Sequence, residues 1–584
     1  MISPTIHRLQ PALDPCQQAV VGHLAGPLLV IAGPGAGKTR CLVWRAVNLL
    51  LLGQAGPAEL VMCTFSKRAA RELRQRFHAA AEQAGCPDDL SAVRVATVHS
   101  LCRRILCEHA KRAGLKSSLD ILDEWRQLDL LSAHFHRVFG PDRDELRRRG
   151  WRTHDYTVRQ GRRYIERIAE EAVDLEELAD ADDPFHSAIG RCCLRYQDVL
   201  RERGALDFSR LQVEADSLLQ DDAVAQSVGA NAKHLMVDEY QDTSFIQERV
   251  LLRLAQVRGN LAVVGDDDQS IYRFRGASVR NLLEFPERFP KAQVRHLSTN
   301  YRSHPGIVAA YDRWMAAFDW SNPKPDGRPF RHPKTIIPND AVHHADYPSV
   351  IAVLGKDPRD EAAQLAELLR LLKVRGVIAD YGQAALLLHS VQERFCERYL
   401  SAFAKVGIPY HRAPASSRLK HPASESLGKG SSAESRFPAG RVCVTTIHQS
   451  KGLEWPVVAM GSLDGSSGGD EIGRELDAYS HRPPFEPPNR IRDFDAMRQH
   501  YVAFSRARNL LVLTASAPPA PRFSPIWDGL PRWPNLSAAA LSQLLSQRFA
   551  SEPTVGAPRQ PANLVIPHVK RLVVRPQGGN LIAS

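Results

Sequence analysis

At 584 residues the chain exceeds the size at which a single hydrophobic core stops growing, so at least two folded units are expected. With 43% hydrophobic and 24% charged residues, and no apolar run near the roughly 18–20 residues that cross a bilayer, it reads as a soluble globular protein rather than a membrane protein. The formal charge of +11 and pI near 9.2 favour a polyanionic partner, because each phosphate neutralised by Lys or Arg releases condensed counterions.

Residues 1–13 lack a continuous apolar segment followed by a small-residue cleavage site, which points to the cytoplasm. Ten cysteines are scattered along the chain without the CxxC spacing of a zinc or iron–sulfur site, so they read as reduced thiols. Residues 28–31 are an apolar run expected as a buried strand, and they lead into Ala32-Gly33-Pro34-Gly35-Ala36-Gly37-Lys38-Thr39, a P-loop in which Ala32 stands where a glycine is usual. The glycines let backbone N–H groups turn inward around phosphates, Lys38 adds a point charge at the β- and γ-phosphates, and Thr39 offers a hydroxyl to Mg²⁺. The loop implies nucleotide binding and leaves its use open. Residues 109–195 carry charged, Arg-rich helical patterns, expected as a helical insertion with no catalytic role.

A second apolar strand, His234-Leu235-Met236-Val237, ends in Asp238-Glu239-Tyr240-Gln241-Asp242. Two carboxylates thus stand at a strand terminus, where catalytic residues of α/β folds collect. Asp238 is expected to hold Mg²⁺ directly or through water, and Glu239 to polarise the water that attacks a γ-phosphate. Farther on, Ala385-Leu386-Leu387-Leu388 reads as another buried strand. Residues 411–440 are rich in Ser, Gly and Ala without helix-length periodicity and read as a flexible loop, while 516–584 is Pro-rich and reads as a tail or docking segment.

The run Val263-Val264-Gly265-Asp266-Asp267-Asp268-Gln269-Ser270-Ile271-Tyr272-Arg273-Phe274-Arg275-Gly276-Ala277 closely resembles the third motif of the UvrD/Rep/PcrA-type superfamily 1 helicases. Other stretches match that family's motifs in order: Gln17 in Leu13-Asp14-Pro15-Cys16-Gln17, Thr64-Phe65-Ser66-Lys67-Arg68-Ala69-Ala70, Thr97-Val98-His99-Ser100-Leu101, Asn300-Tyr301-Arg302-Ser303, Thr446-Ile447-His448-Gln449-Ser450-Lys451-Gly452-Leu453-Glu454, and Tyr501-Val502-Ala503-Phe504-Ser505-Arg506-Ala507-Arg508. The resemblance covers residues 13–513 and implies two RecA-like P-loop domains with parallel sheets. The first would comprise 1–108 and 196–290, interrupted by the helical insertion at 109–195. The second would comprise 291–410 and 441–515.

By this resemblance ATP and Mg²⁺ are the ligands of the cleft. Gln17 would read the adenine edge with Arg40 beside it, Tyr301 would stack on the base, and Glu454 would accept a hydrogen bond from the ribose. Gln269 would couple the γ-phosphate to the DNA site, and Arg302 and Arg506 would be the arginine fingers. Phe65, Tyr272 and Phe274 would stack on or wedge between bases, with Thr97, His99, Arg275, Thr446 and His448 contacting backbone or bases around them. For the aromatic residues, ordinary core packing is the competing reading.

Two departures qualify the resemblance. Only 411–440 fills the place of the family's large second accessory subdomain, and the hairpin after the last motif is shortened. The expected activity is ATP-dependent 3′ to 5′ movement on single-stranded DNA, with unwinding of 3′-tailed duplexes in repair, recombination or replication. The alternative is a DNA-dependent ATPase that controls a partner nuclease, with a protein partner in place of the missing subdomain. An RNA-directed motor is a third reading.

Overall fold

Short apolar runs rich in Val, Leu, Ile and Ala cannot leave either face in water, and here they pair into two parallel sheets, covered on both sides by helices. The computed structural model describes residues 1–10, 13–86, 89–115, 119–323, 327–339, 344–414, 438–463, 471–482 and 485–550. In the first lobe the strands are β1 (Leu28–Ala32), β2 (Leu60–Thr64) and β3 (Arg94–Thr97); then, after a short separate pair formed by β4 (Asp120–Leu122) and β5 (Ala205–Asp207), come β6 (His234–Val237), β7 (Leu261–Gly265) and β8 (Gln293–Leu297). Their order is β3-β2-β6-β7-β1-β8, every pairing parallel. Side chains alternate across the sheet as the pleat requires: Leu28 and Val30 join one apolar cluster, and Leu29 and Ile31 join the cluster on the opposite face.

The second lobe begins with a short pair, β9 (Thr299–Asn300) and β10 (Ile337–Pro338). Its main sheet is built from β11 (Val350–Leu354), β12 (Ala384–Leu388), β13 (Tyr410–Arg412), β14 (Val442–Thr446), β15 (Trp455–Met460), β16 (Ala507–Ala515) and β17 (Arg532–Trp533), in the order β13-β14-β12-β15-β16-β11-β17, again all parallel. This mixed α/β architecture with two parallel sheets agrees with the fold class that the family resemblance implies.

Three expected boundaries move. β8 pairs with β1, so residues 293–297 belong to the first lobe rather than to a domain starting at 291. The helix Pro184–Arg203 passes residue 195 without a break and stops only at Gly204, whose φ of 69° is the left-handed conformation a helix C-cap favours, so the insertion ends there. The segment from 516 is not simply a tail: β17 pairs with β11, Phe523, Ile526 and Trp527 are buried in one core of the second lobe, and Leu544 and Phe549 in the other. Residues 551–584 and 415–437, which hold the rest of the expected tail and most of the expected loop, lie outside the described residues.

The insertion has its own apolar core around Leu131, Phe139, Tyr164, Phe185 and Tyr196, joined by Ile472 and Leu476 from the excursion that follows β15. Among the described residues no helix is long and apolar enough to cross a membrane.

Candidate functional site

The loops that follow β1, β2, β3, β6, β7 and β14 all leave the carboxyl ends of parallel strands, the edge at which open α/β sheets bind ligands. After β1 the chain turns through Gly35 (φ 69°) and Gly37 (φ 84°), conformations that strain any residue with a Cβ. The helix Lys38–Leu51 starts at once, so its unpaired N–H groups face the loop. Space is as restrictive as φ: a Cβ on Gly35 would lie 2.7 Å from Cβ of Arg302, and one on Gly33 would lie 2.2 Å from Cδ1 of Ile336. The P-loop is therefore packed against the second lobe.

Around its rim, Nε2 of Gln17 donates to the Ala36 carbonyl at 3.1 Å, Nδ2 of Asn300 to the Pro34 carbonyl at 2.7 Å, and the N–H of Tyr301 to the Gly35 carbonyl at 3.1 Å. The Tyr301 hydroxyl donates to Asp14 at 2.7 Å, and Arg40 donates to Gln10 at 2.5 Å. Gln17, Arg40 and Tyr301, far apart in sequence, are thus gathered at one mouth.

Lys38 is half-buried with its ammonium on the carbonyls of Ala32 (3.1 Å) and Gly33 (3.3 Å); desolvation lowers its pKa, opposed by Glu239, Asp266 and Asp238. The Thr39 hydroxyl donates to Asp238 at 2.7 Å. Burial and the adjacent Glu239 push Asp238 up to about 6, whereas for Glu239 the pull of Lys38 and Lys451 outweighs burial and holds it below the ordinary range. Glu239 also sits at φ 56°, a left-handed conformation for a residue with a Cβ, which costs on the order of 1–3 kcal/mol. A hydroxyl and a carboxylate oxygen in contact are hard donors of the kind Mg²⁺ takes, so Thr39 and Asp238 fit that ion.

From Glu239 a line of hydrogen bonds crosses to the second lobe. Nε2 of Gln241 donates to Glu239 at 2.5 Å, the N–H of Asp266 donates to Oε1 of Gln241 at 3.0 Å, Nε2 of Gln269 donates to Asp266 at 2.6 Å, and Nη2 of Arg506 donates to Oε1 of Gln269 at 3.3 Å. Arg506 is buried, which lowers its pKa to about 10 and leaves it charged at neutral pH. Arg302 is bonded through Nε to Glu454, so one expected arginine finger and the expected ribose acceptor are paired with each other. Burial pushes Glu454 up, but Arg302 and Arg508 outweigh it and hold the carboxyl low.

A second set of residues collects beside this seam. The rings of Phe65 and Tyr272 stack at 5.1 Å and 19°, Tyr272 lies 6.2 Å from Phe274, and Phe274 meets His448 edge-on at 5.1 Å. The guanidinium of Arg275 stands over Tyr272 at 5.6 Å and over Phe274 at 5.5 Å. Phe274 is 52% exposed, which rules out core packing as its reason for being there. Tyr272 is more enclosed, its hydroxyl tied to the His448 carbonyl at 3.0 Å, so it joins the ladder across the two lobes.

Residues 13–290 match the model of the UvrD/REP helicase N-terminal domain. The chain is 32% identical over 306 residues to ATP-dependent DNA helicase PcrA of Bacillus subtilis (strain 168), covering 52% of this chain and 39% of that protein. It is 32% identical over 300 residues to DNA helicase II of Escherichia coli (strain K12), covering 51% and 39%. With ATP-dependent DNA helicase UvrD1 of Mycobacterium leprae (strain TN) it shares 29% over 422 residues, covering 69% and 50%. The chain is UvrD/Rep/PcrA-like. It spans 39–50% of the length of these three relatives.

Within the UvrD/REP-type half lie the P-loop, Asp238, Glu239, Gln269 and the aromatic residues 65, 272 and 274; the arginines 302 and 506 come from beyond it. Four of the expected strand-contact residues have a definite local state in the folded chain. The hydroxyls of Thr97 and Thr446 accept the N–H groups of Ser100 and Gln449, each at 3.2 Å, as N-caps of the helices Val98–Glu108 and Ile447–Ser450, and Thr97 is buried. Burial, with Lys67 near one and Arg275 near the other, lowers His99 and His448 to about 4, so both are neutral at pH 7 and offer rings and hydrogen bonds, not charge.

Two residues without an expected role stand out. Lys451, inside the Thr446 to Glu454 motif, reaches across the seam to Asp242 (2.6 and 2.8 Å) and to the Gln269 carbonyl (2.6 Å). Phe208 is exposed, lies edge-on to His99 at 5.8 Å, and has the Lys67 ammonium 6.0 Å from its ring centre. The motif flags Lys451 by position only, and nothing in the sequence around Phe208 separates it from a core phenylalanine.

Proposed function

We propose that this chain is an ATP-driven motor that moves 3′ to 5′ on single-stranded DNA and unwinds 3′-tailed duplexes, in repair, recombination or replication. One observation carries the reading: residues 266–277 are a single short segment whose Gln269 touches Arg506 in the seam and whose Tyr272 and Phe274, three and five residues on, form the aromatic ladder. Whatever shifts Gln269 must shift the ladder.

In this account Gln17, Arg40 and Tyr301 hold the base, and the P-loop N–H groups with Lys38 hold the β- and γ-phosphates. Thr39 and Asp238 would hold Mg²⁺, whose charge offsets that of the phosphates when bound. Glu239, kept ionised by Lys38 and Lys451, takes the proton of the attacking water. Arg506 supports the charge developing on the γ-phosphate oxygens, and Arg302 joins it by exchanging Glu454 for phosphate while Glu454 turns to the ribose. Phe65, Tyr272 and Phe274 give a stacking platform worth about 1–3 kcal/mol per base without regard to sequence. Neutral His99 and His448 suit such a surface.

A second reading, a DNA-dependent ATPase governed by a partner, is favoured by the connection between the paired strands β13 and β14: residues 413–441 are too few for a large accessory subdomain. Strand displacement on matched duplexes with 3′ tails, 5′ tails or blunt ends, and on 3′-tailed RNA, separates the readings. Displacement of the 3′-tailed DNA duplex alone is expected for the motor. Hydrolysis stimulated by single strands without displacement of any duplex supports the partner-governed reading, and displacement from a 5′ tail contradicts the assigned direction.

A further inference from the structure

The segment between the helix Pro305–Ala316 and β11 belongs to the second lobe by its packing, since Phe330 and Ile336 are buried in that lobe's core. Between these two anchors it sends cations into the first lobe. The Lys334 side chain is 3% exposed, with Nζ 2.7 Å from Asp266 and 3.1 Å from Asp268, and it also bonds Asp267. Arg331 pairs with Asp268 at 2.9 Å, and the N–H of His332 donates to Asp267 at 2.8 Å. The three consecutive carboxylates converge as metal ligands do, but the ammonium of Lys334 occupies that role.

A buried ionic cluster of this kind is a poor source of stability, because desolvating the charges consumes most of what their attraction returns. Its geometric consequence is more definite. Asp266 uses one oxygen for Lys334 and the other for the amide of Gln269, at 2.6 Å. With its N–H₂ fixed there, Gln269 can only present its carbonyl oxygen to Arg506. We infer that Lys334 is a positioning residue: acting from the second lobe through Asp266, it holds Gln269 in the orientation that links the nucleotide cleft to the DNA-facing aromatic ladder. This rests on the function proposed above.

The test uses the full chain and the double variant Lys334→Met/Asp267→Asn, which removes one charge of each sign and keeps the cluster's net charge. ATP hydrolysis is measured with and without oligo(dT), alongside thermal unfolding. The double variant is expected to fold and to keep its KM for ATP, while its DNA-stimulated kcat falls about 10-fold or more through loss of orientation. On that background Gln269→Ala should cause little further loss. Stimulation at the wild-type level, or a full additional loss from Gln269→Ala, overturns the inference. A double variant that does not fold also overturns it, since Lys334 is then a stability element. If the wild-type chain itself shows no stimulation by DNA, the functional reading fails first, and the two failures are told apart.

Discussion

Lys451→Ala removes an ammonium 2.6 and 2.8 Å from the two oxygens of Asp242, with side chains only 5% and 2% exposed, so water screens neither partner. Taking one member from a buried pair costs on the order of 3–5 kcal/mol, because the other charge is left uncompensated. The loss falls on the docking of the lobes, since Asp242 follows β6 and Lys451 follows β14. Protonation limits it: burial raises Asp242 to about 7 even with Lys451 opposing. Unfolded, the group titrates near 3.8, so between about 4 and 7 the folded chain binds more protons and this contribution to stability falls as pH rises. Without Lys451 the folded value climbs further and the falling limb extends to higher pH. The variant is therefore expected to lose more stability at pH 8 than at pH 6, by roughly 1–2 kcal/mol at about 1.4 kcal/mol per unit of pKa. Denaturant unfolding of the full chain at both pH values, with Asp242→Asn added as a rescue, measures this. A wild-type midpoint at pH 8, or no rescue by Asp242→Asn, refutes the reasoning.

Glu239→Gln should still bind ATP but hydrolyse it very slowly; single-turnover hydrolysis at the wild-type rate would remove Glu239 from water activation. Arg506→Ala should lower kcat by about 10³-fold or more, as loss of a charge-stabilising arginine does, with a smaller effect on ATP affinity. Equal effects on both would make it a binding residue only. Phe274→Ala should weaken single-strand affinity by about 1–3 kcal/mol, the value of one stacked base, without altering the melting temperature appreciably because the ring is exposed. Unchanged affinity in a titration of labelled oligo(dT) would take Phe274 out of the DNA face.

The P-loop half of the candidate site was legible because its residues are contiguous. A strand, glycines at the two positions of positive φ, Lys38 and Thr39 follow one another within a dozen residues, and Asp238 and Glu239 end a strand of the same sheet. Topology was harder to read. β8 precedes the Asn300 motif by a few residues yet pairs with β1, a choice made by long-range packing. In 516–550 the prolines mask five widely spaced core side chains, Phe523, Ile526, Trp527, Leu544 and Phe549. The neutrality of His99 and His448 is a consequence of burial, which no motif carries. Thr97 and Thr446 match family positions, but capping a helix is a local geometric fact that the same hydroxyl satisfies first. Lys334 gave no signal at all, being one lysine in a polar stretch whose partners lie 66–68 residues upstream.

The central claim is that hydrolysis in the P-loop cleft and binding on the aromatic face are one coupled process. Steady-state ATP hydrolysis by the full chain, titrated with oligo(dT) and with Lys38→Ala as the blank, addresses it most directly. Hydrolysis is expected to rise with single-stranded DNA, to saturate, and to be absent from Lys38→Ala at every concentration. A rate that is the same with and without DNA, or DNA-stimulated turnover surviving in Lys38→Ala, would contradict it.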